Sequence, residues 1–136
     1  AQIYKKSLYL NKNINKQFGM DVLEIYKRSS NILNSEKQNL TKIIGSADPV
    51  LFRNEYEKNL YKKIHDIRKY FLSVGRDENY EDSLKTLSSA KIEVNEFFDN
   101  VKVNDEEEII KKNRLELLKM LCKSFDNYFN FSKIEA

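Results

Sequence analysis

Three glycines (Gly19, Gly45, Gly75) and one proline (Pro49) are all the punctuation in 136 residues. Tight β-turns draw on those two residue types, so this chain has little material for hairpins. Charged residues at 33% strengthen the inference, and together the two features point to helices. The length suits one domain with a modest core. The expected fold is all-α, a bundle of about five helices forming a single domain over 1–136, with residues 1–18 continuing a helix begun upstream.

The apolar spacing places the elements. Residues 2 to 17 are loosely helical through Ile3, Leu8, Leu10 and Ile14, and Gly19 is expected to end that segment. Val22, Ile25, Tyr26, Ser29 and Leu33 recur at three- and four-residue steps and predict a helix over 20–33, with small Ser29 and Ser30 permitting a close neighbour. A polar connection over 34–48 comes next. Tyr56, Leu60, Ile64, Ile67, Phe71 and Val74 predict a long helix over 54–74, closed by Gly75. Tyr80, Leu84, Leu87, Val94 and Phe98 predict one helix over 77–98; Lys91 interrupts the stripe and must snorkel or sit at its rim. Residues 99–104 read as a tight connection. The last helix is expected near Asp105, where Asp105, Glu106, Glu107 and Glu108 would meet the positive end of its dipole. Its stripe is Ile110, Leu117, Leu121, Phe125 and Tyr128, with Arg114 in the same line.

A net charge of +3 is too mild to mark a nucleic-acid binder, so any binding face has to come from local clustering. No apolar run approaches the roughly 18 residues that span a bilayer, and the N-terminal Tyr4-Lys5-Lys6-Ser7-Leu8 lacks a signal-peptide core. With one cysteine, Cys122, no internal disulfide is available, and a reducing, cytoplasmic setting is expected. The start at Ala1 reads as a piece of a longer chain, although removal of an initiator Met would look the same. There is no HExxH, paired CxxC, P-loop, GxSxG or glycine-rich phosphate cradle. His65, the single histidine, sits beside Tyr61 and Arg68 and is not read as catalytic or metal-binding; Cys122 reads as core. No catalytic residue, metal site or cofactor is expected in this domain.

Four features remain as candidates for binding. Arg114 lies on an apolar stripe, where arginine is rarely buried without a partner. It either forms a structural ion pair, for which Asp99 is a candidate, or presents its guanidinium to phosphate or a base edge. Phe97 and Phe98 could stack bases; adjacent helical residues point about 100° apart, so they could equally pack against different neighbours. Lys27, Arg28 and Asn31 share one polar face, which is either plain solvated surface or a phosphate-and-base contact set in which the amide both donates and accepts.

Phe97-Phe98-Asp99-Asn100-Val101-Lys102-Val103, with Asn113-Arg114-Leu115-Glu116-Leu117-Leu118 after it, closely resembles the C-terminal end of the β-subunit family of bacterial two-subunit glycyl-tRNA synthetases, which typically reads FFDxVMV and then NRLxLL. Tyr26-Lys27-Arg28-Ser29-Ser30-Asn31-Ile32-Leu33 resembles that family's KRxxNIL. Leu51-Phe52 with Glu57-Lys58-Asn59-Leu60-Tyr61, and the closing Phe131-Ser132-Lys133-Ile134, keep the family's order. The departure is Lys102 in place of the family's Met, which suggests a more exposed loop. The resemblance implies an all-helical anticodon-binding domain of the DALR type, also found in arginyl-tRNA synthetase. It implies glycine tRNA as ligand and, as partners, the rest of the β subunit and an α subunit that would hold ATP, Mg and glycine. The parent would be a glycine–tRNA ligase, while this chain would carry no catalytic site. Glycine anticodons carry two adjacent cytosines, each showing an amine donor. Asn31, Asn113, Asp99 and Asn100 could supply acceptors, and Lys27, Arg28 and Arg114 the cations, for an RNA-binding surface. The rival expectation is a helical protein-interaction module that docks on the rest of the synthetase, through the segment bearing Leu8, Leu10 and Ile14.

Overall fold

The computed structural model describes residues 17–36, 43–74 and 80–127. Among these residues the fold is all-α, with five helices and no strand: α1 (Gln17–Ser35), α2 (Glu55–Val74), α3 (Tyr80–Ser88), α4 (Lys91–Asn100) and α5 (Glu108–Asp126), plus a 3-10 turn at Pro49–Leu51. The segment over 1–16, the closing Gly75, Tyr128 and the Phe131–Ile134 motif lie outside the described residues.

The predicted stripes form most of the core; the exception is in α4, where Phe97 and not the expected Phe98 is the fully buried ring, because the helix breaks at 88–90 and its face is reset. Val22, Leu23 and Ile25 of α1, Leu60, Ile64 and Ile67 of α2, Leu84 and Leu87 of α3, Val94 and Phe97 of α4, and Leu117, Leu118, Leu121 and Phe125 of α5 join one buried cluster. α5 lies against both α1 and α2 and is the most deeply buried element, with twelve buried residues. Ser29 is fully buried, its hydroxyl donating to the Ile25 carbonyl at 2.9 Å, so it sits in the packed face without an unmet donor.

Several boundaries differ from the sequence reading; one is that α4 runs on through Asp99 and Asn100, which were expected in the connection. Gly19 does not break the chain; it is buried within α1, and helix burial outweighs a propensity cost of about 1 kcal/mol. The predicted helix over 77–98 is two helices. At the junction, Ser88 and Ser89 hydroxyls donate back to the Lys85 and Thr86 carbonyls (2.8 and 2.5 Å), and the Ala90 amide bonds Leu87 at the tighter i−3 spacing. Hydroxyls that compete for helix carbonyls favour such a turn. α5 starts at Glu108, so only Glu108 stands in the first turn; the Asp105 carboxylate instead accepts from the Glu107 amide at 2.9 Å.

Lys91, the interruption in the stripe, sits at the rim and pairs with Asp21 of α1 at 2.9 Å; that hydrogen bond pushes its pKa up. Cys122 is buried, and burial pushes its thiol up to about 12. The Tyr26 hydroxyl is also pushed up, first by burial and then by its hydrogen bond to Asp126 at 3.0 Å.

Candidate nucleic-acid interface

The α1 face presents Lys27 and Asn31 to solvent, with Arg28 half-buried between them. Arg28 turns towards α4. Its Nη1 donates to Asn95 Oδ1 at 2.8 Å, and its guanidinium carbon lies 4.5 Å from the centroid of the Phe98 ring. The next two residues after Phe98 are Asp99 and Asn100, both exposed at the C-terminal end of α4, where Asn100 Nδ2 donates to the Glu96 carbonyl at 2.9 Å. α1 therefore meets α4 through Arg28, while Lys27 and Asn31 stand exposed on α1 and Asp99 and Asn100 stand exposed at the end of α4. Phe97 is fully buried and Phe98 half-buried, with their rings edge-to-face at 5.6 Å. Phe97 cannot reach a base, and the Phe98 ring is already covered by Arg28.

Arg114 is buried. Its Nη1 donates to the Lys102 carbonyl at 2.6 Å and to Asp105 at 3.2 Å; its Nη2 meets Glu57 Oε1 at 3.4 Å. The ion pair is therefore with Glu57 and Asp105, and not with Asp99. Glu57 is fully buried and ties the start of α2. Its Oε1 accepts from the Arg53 amide at 3.0 Å, while its own amide donates to Asn54 Oδ1 at 3.1 Å. That resembles a capping box, with Glu57 reaching the amide one residue before the N-cap Asn54. Arg114 thus joins the start of α2 to the 101–105 loop that leaves α4. Lys102, the departure from the resembled motif, is exposed, and its backbone rather than its side chain serves this joint.

Asn113 is buried on another side of α5. Its amide oxygen accepts from the Asp48 amide at 2.7 Å and its nitrogen donates to the Asp48 carbonyl at 3.1 Å. One turn on, Glu116 Oε1 accepts from the amides of Ile44, Gly45 and Ser46 at 2.9, 2.8 and 3.3 Å. Met120 Sδ accepts from the Ala47 amide, and Lys123 Nζ donates to the Ile44 carbonyl at 2.9 Å. This row straps the 44–48 loop onto α5. Arg114 and Asn113 are thus engaged within the fold, Arg28 is half-buried against α4, and Lys27, Asn31, Asp99 and Asn100 are exposed.

Residues 54, 57, 95 and 116 had no role in the sequence reading. For Glu57 a signal existed: Asn54-x-x-Glu57 before an apolar run is a helix-start pattern. Asn95 carried no signal, since its role depends on where α1 lands. A cleft of about 310 Å³ between α2 and α5, lined by Arg68, Phe71, Leu72, Ser124 and Asn127, holds none of the candidates. Among the described residues no cluster of His, Cys, Asp and Glu could hold a metal, and no helix is long and apolar enough to cross a membrane.

Compared with known families, residues 22–136 match the DALR anticodon binding domain. The chain belongs to the DALR anticodon-binding family. The match spans most of the chain and includes every candidate residue. This DALR domain is 37% identical over 116 residues to the glycine–tRNA ligase β subunit of Rickettsia prowazekii (strain Madrid E), covering 85% of this chain and 17% of that protein. It is 34% identical over 134 residues to the glycine–tRNA ligase β subunit of Rickettsia bellii (strain OSU 85-389), covering 98% of this chain and 19% of that protein. The chain spans less than a fifth of the length of these curated relatives. Family and relatives agree with the resemblance read from the Phe97–Val103 and Asn113–Leu118 motifs, and the helical fold is the one that the resemblance implied.

Proposed function

We propose that residues 1–136 act as one domain that binds the anticodon loop of glycine tRNA, within a glycine–tRNA ligase β subunit. In this reading the rest of the β subunit and an α subunit are its partners, the α subunit carries the ATP, Mg and glycine chemistry, and the assembly works in the cytoplasm. The observation that supports the reading best is the junction at which Arg28 of α1 meets Asn95 and Phe98 of α4, with Lys27 and Asn31 exposed beside Arg28 in α1 and Asp99 and Asn100 exposed just after Phe98 in α4. Lys27 and Arg28 meet backbone phosphate or base, as cations do. Asn31, Asp99 and Asn100 offer oxygen acceptors to the cytosine amines. Arg114 and Asn113 make no RNA contact in this reading: Arg114 fixes the loop after Asn100, and Asn113 ties the 44–48 loop on another side of α5.

The test is filter binding of the full chain to a glycine anticodon stem-loop across a salt series. Affinity is expected to fall with salt and with replacement of the cytosines. Equal binding of cognate and cytosine-replaced loops would overturn anticodon readout.

A second reading, a docking module for the remainder of the synthetase, is favoured by one observation: Leu72 is 84% exposed beside the apolar cleft between α2 and α5. It requires tight binding to the remaining β or α subunit and no RNA affinity.

A further inference from the structure

We propose that the planar guanidinium of Arg28, and not a phenylalanine ring, is the platform on which one unpaired base of the RNA loop stacks. The inference rests on the anticodon-binding reading and assigns a subsite within it. Single-stranded RNA is commonly held by stacking on aromatic rings or on arginine planes. Phe97 is fully buried, and Phe98 is half-buried with the Arg28 guanidinium over its ring. The group covering Phe98 is itself a flat, delocalised cation, 4.5 Å above the ring.

Two contacts hold this group: its Cζ lies 4.5 Å from the centroid of the Phe98 ring, and its Nη1 donates to Asn95 Oδ1 at 2.8 Å. An arginine side chain usually loses much rotamer freedom on binding; here that freedom is already lost in the free protein, which favours affinity. The bond to Asn95 uses one of five N–H donors, and no second hydrogen bond from Arg28 exists among the described residues. Arg28 keeps part of its surface exposed, and its neighbours Lys27 and Asn31 are exposed. A base laid on the outer face would continue a stack of base, guanidinium and Phe98, with the Asn31 amide one turn along α1. The same contacts in a purely structural role would merely clasp α1 to α4.

An abasic scan separates the two roles. The full chain is titrated with the glycine anticodon stem-loop and with versions in which each loop base in turn is removed, the ribose and phosphate being kept. With the wild-type chain, one abasic position should weaken binding about tenfold, the size expected of a lost stacking contact. Arg28→Lys keeps the charge but not the plane. It should weaken the intact loop by a similar factor, abolish sensitivity at that one position, and leave the salt slope unchanged. Phe98→Leu keeps Arg28 and removes its support, and should reduce sensitivity at the same position. Wild-type affinity in Arg28→Lys, or a loss shared equally by the intact and every abasic loop, would overturn the platform. The anticodon reading fails separately, if the wild-type chain binds the glycine loop and its cytosine-replaced version alike.

Discussion

Arg114 shows how one side chain can look like a ligand contact and work as a joint. Its place on the stripe marked it as needing a partner, and the partner is the fully buried Glu57, 57 residues earlier in the chain. Removing one member of a buried pair leaves the other charged and unpaired, so Arg114→Met should cost about 3–5 kcal/mol in urea unfolding. Glu57→Gln with Arg114→Met should lose less than the sum of the single changes, with a coupling of at least about 1 kcal/mol; additive losses would show that the pair is not a unit. Cys122 makes the opposite case, an ordinary core residue. Its thiol, raised to about 12 by burial, stays protonated at pH 8, and alkylation by iodoacetamide should proceed only as fast as the chain opens. Rapid native-state labelling would contradict that burial.

At the scale of elements, α5 organises the molecule by carrying different cargo on different sides. Its apolar stripe was legible because it repeats at helical spacing. The row Asn113, Glu116, Met120 and Lys123 was not, because polar residues beside a stripe look like a solvated edge until a loop is laid on them. Gly45 makes that loop possible, with a φ of 84°. An added Cβ would lie 2.9 Å from Lys123 Cδ. Gly45→Ala should therefore cost about 1–2 kcal/mol, the usual penalty of the left-handed region. Glu116→Ala strips the shared acceptor from three amides and should cost about 2 kcal/mol, while Glu116→Gln, which keeps an oxygen, should cost less. Equal losses in the two variants would mean that the charge and not the acceptor matters. The split of α3 from α4 was illegible for a related reason: neither glycine nor proline marks it, only two serines whose hydroxyls fold back.

For the molecule as a whole, the pKa shifts of Cys122, Tyr26 and Lys91 run the same way. All are raised, from ordinary values of 9.0, 10.0 and 10.5. Above pH 9 the unfolded chain loses protons that the folded chain keeps, so the native state binds more protons and stability falls as pH rises. These contributions are fully present at pH 8, and urea midpoints should decline from about pH 9 towards 12. A flat profile over that window would contradict the burial of Cys122 and Tyr26. The helical class was legible in the scarcity of glycine and proline, and the core in its periodic stripes. The surface was only half legible: spacing groups Lys27, Arg28 and Asn31, but only tertiary packing tells which candidates end outside and which are spent within.

The most direct test of an RNA-binding edge between α1 and α4 maps the surface itself. Unlabelled glycine anticodon stem-loop is added to the ¹⁵N-labelled full chain, and amide shifts are tracked residue by residue. Perturbations are expected to concentrate at 27–31 and 95–100, with the strapped loop at 44–48 unmoved. Perturbations centred on 44–51 and 109–116, or none at 27–31, would contradict that edge as the binding surface.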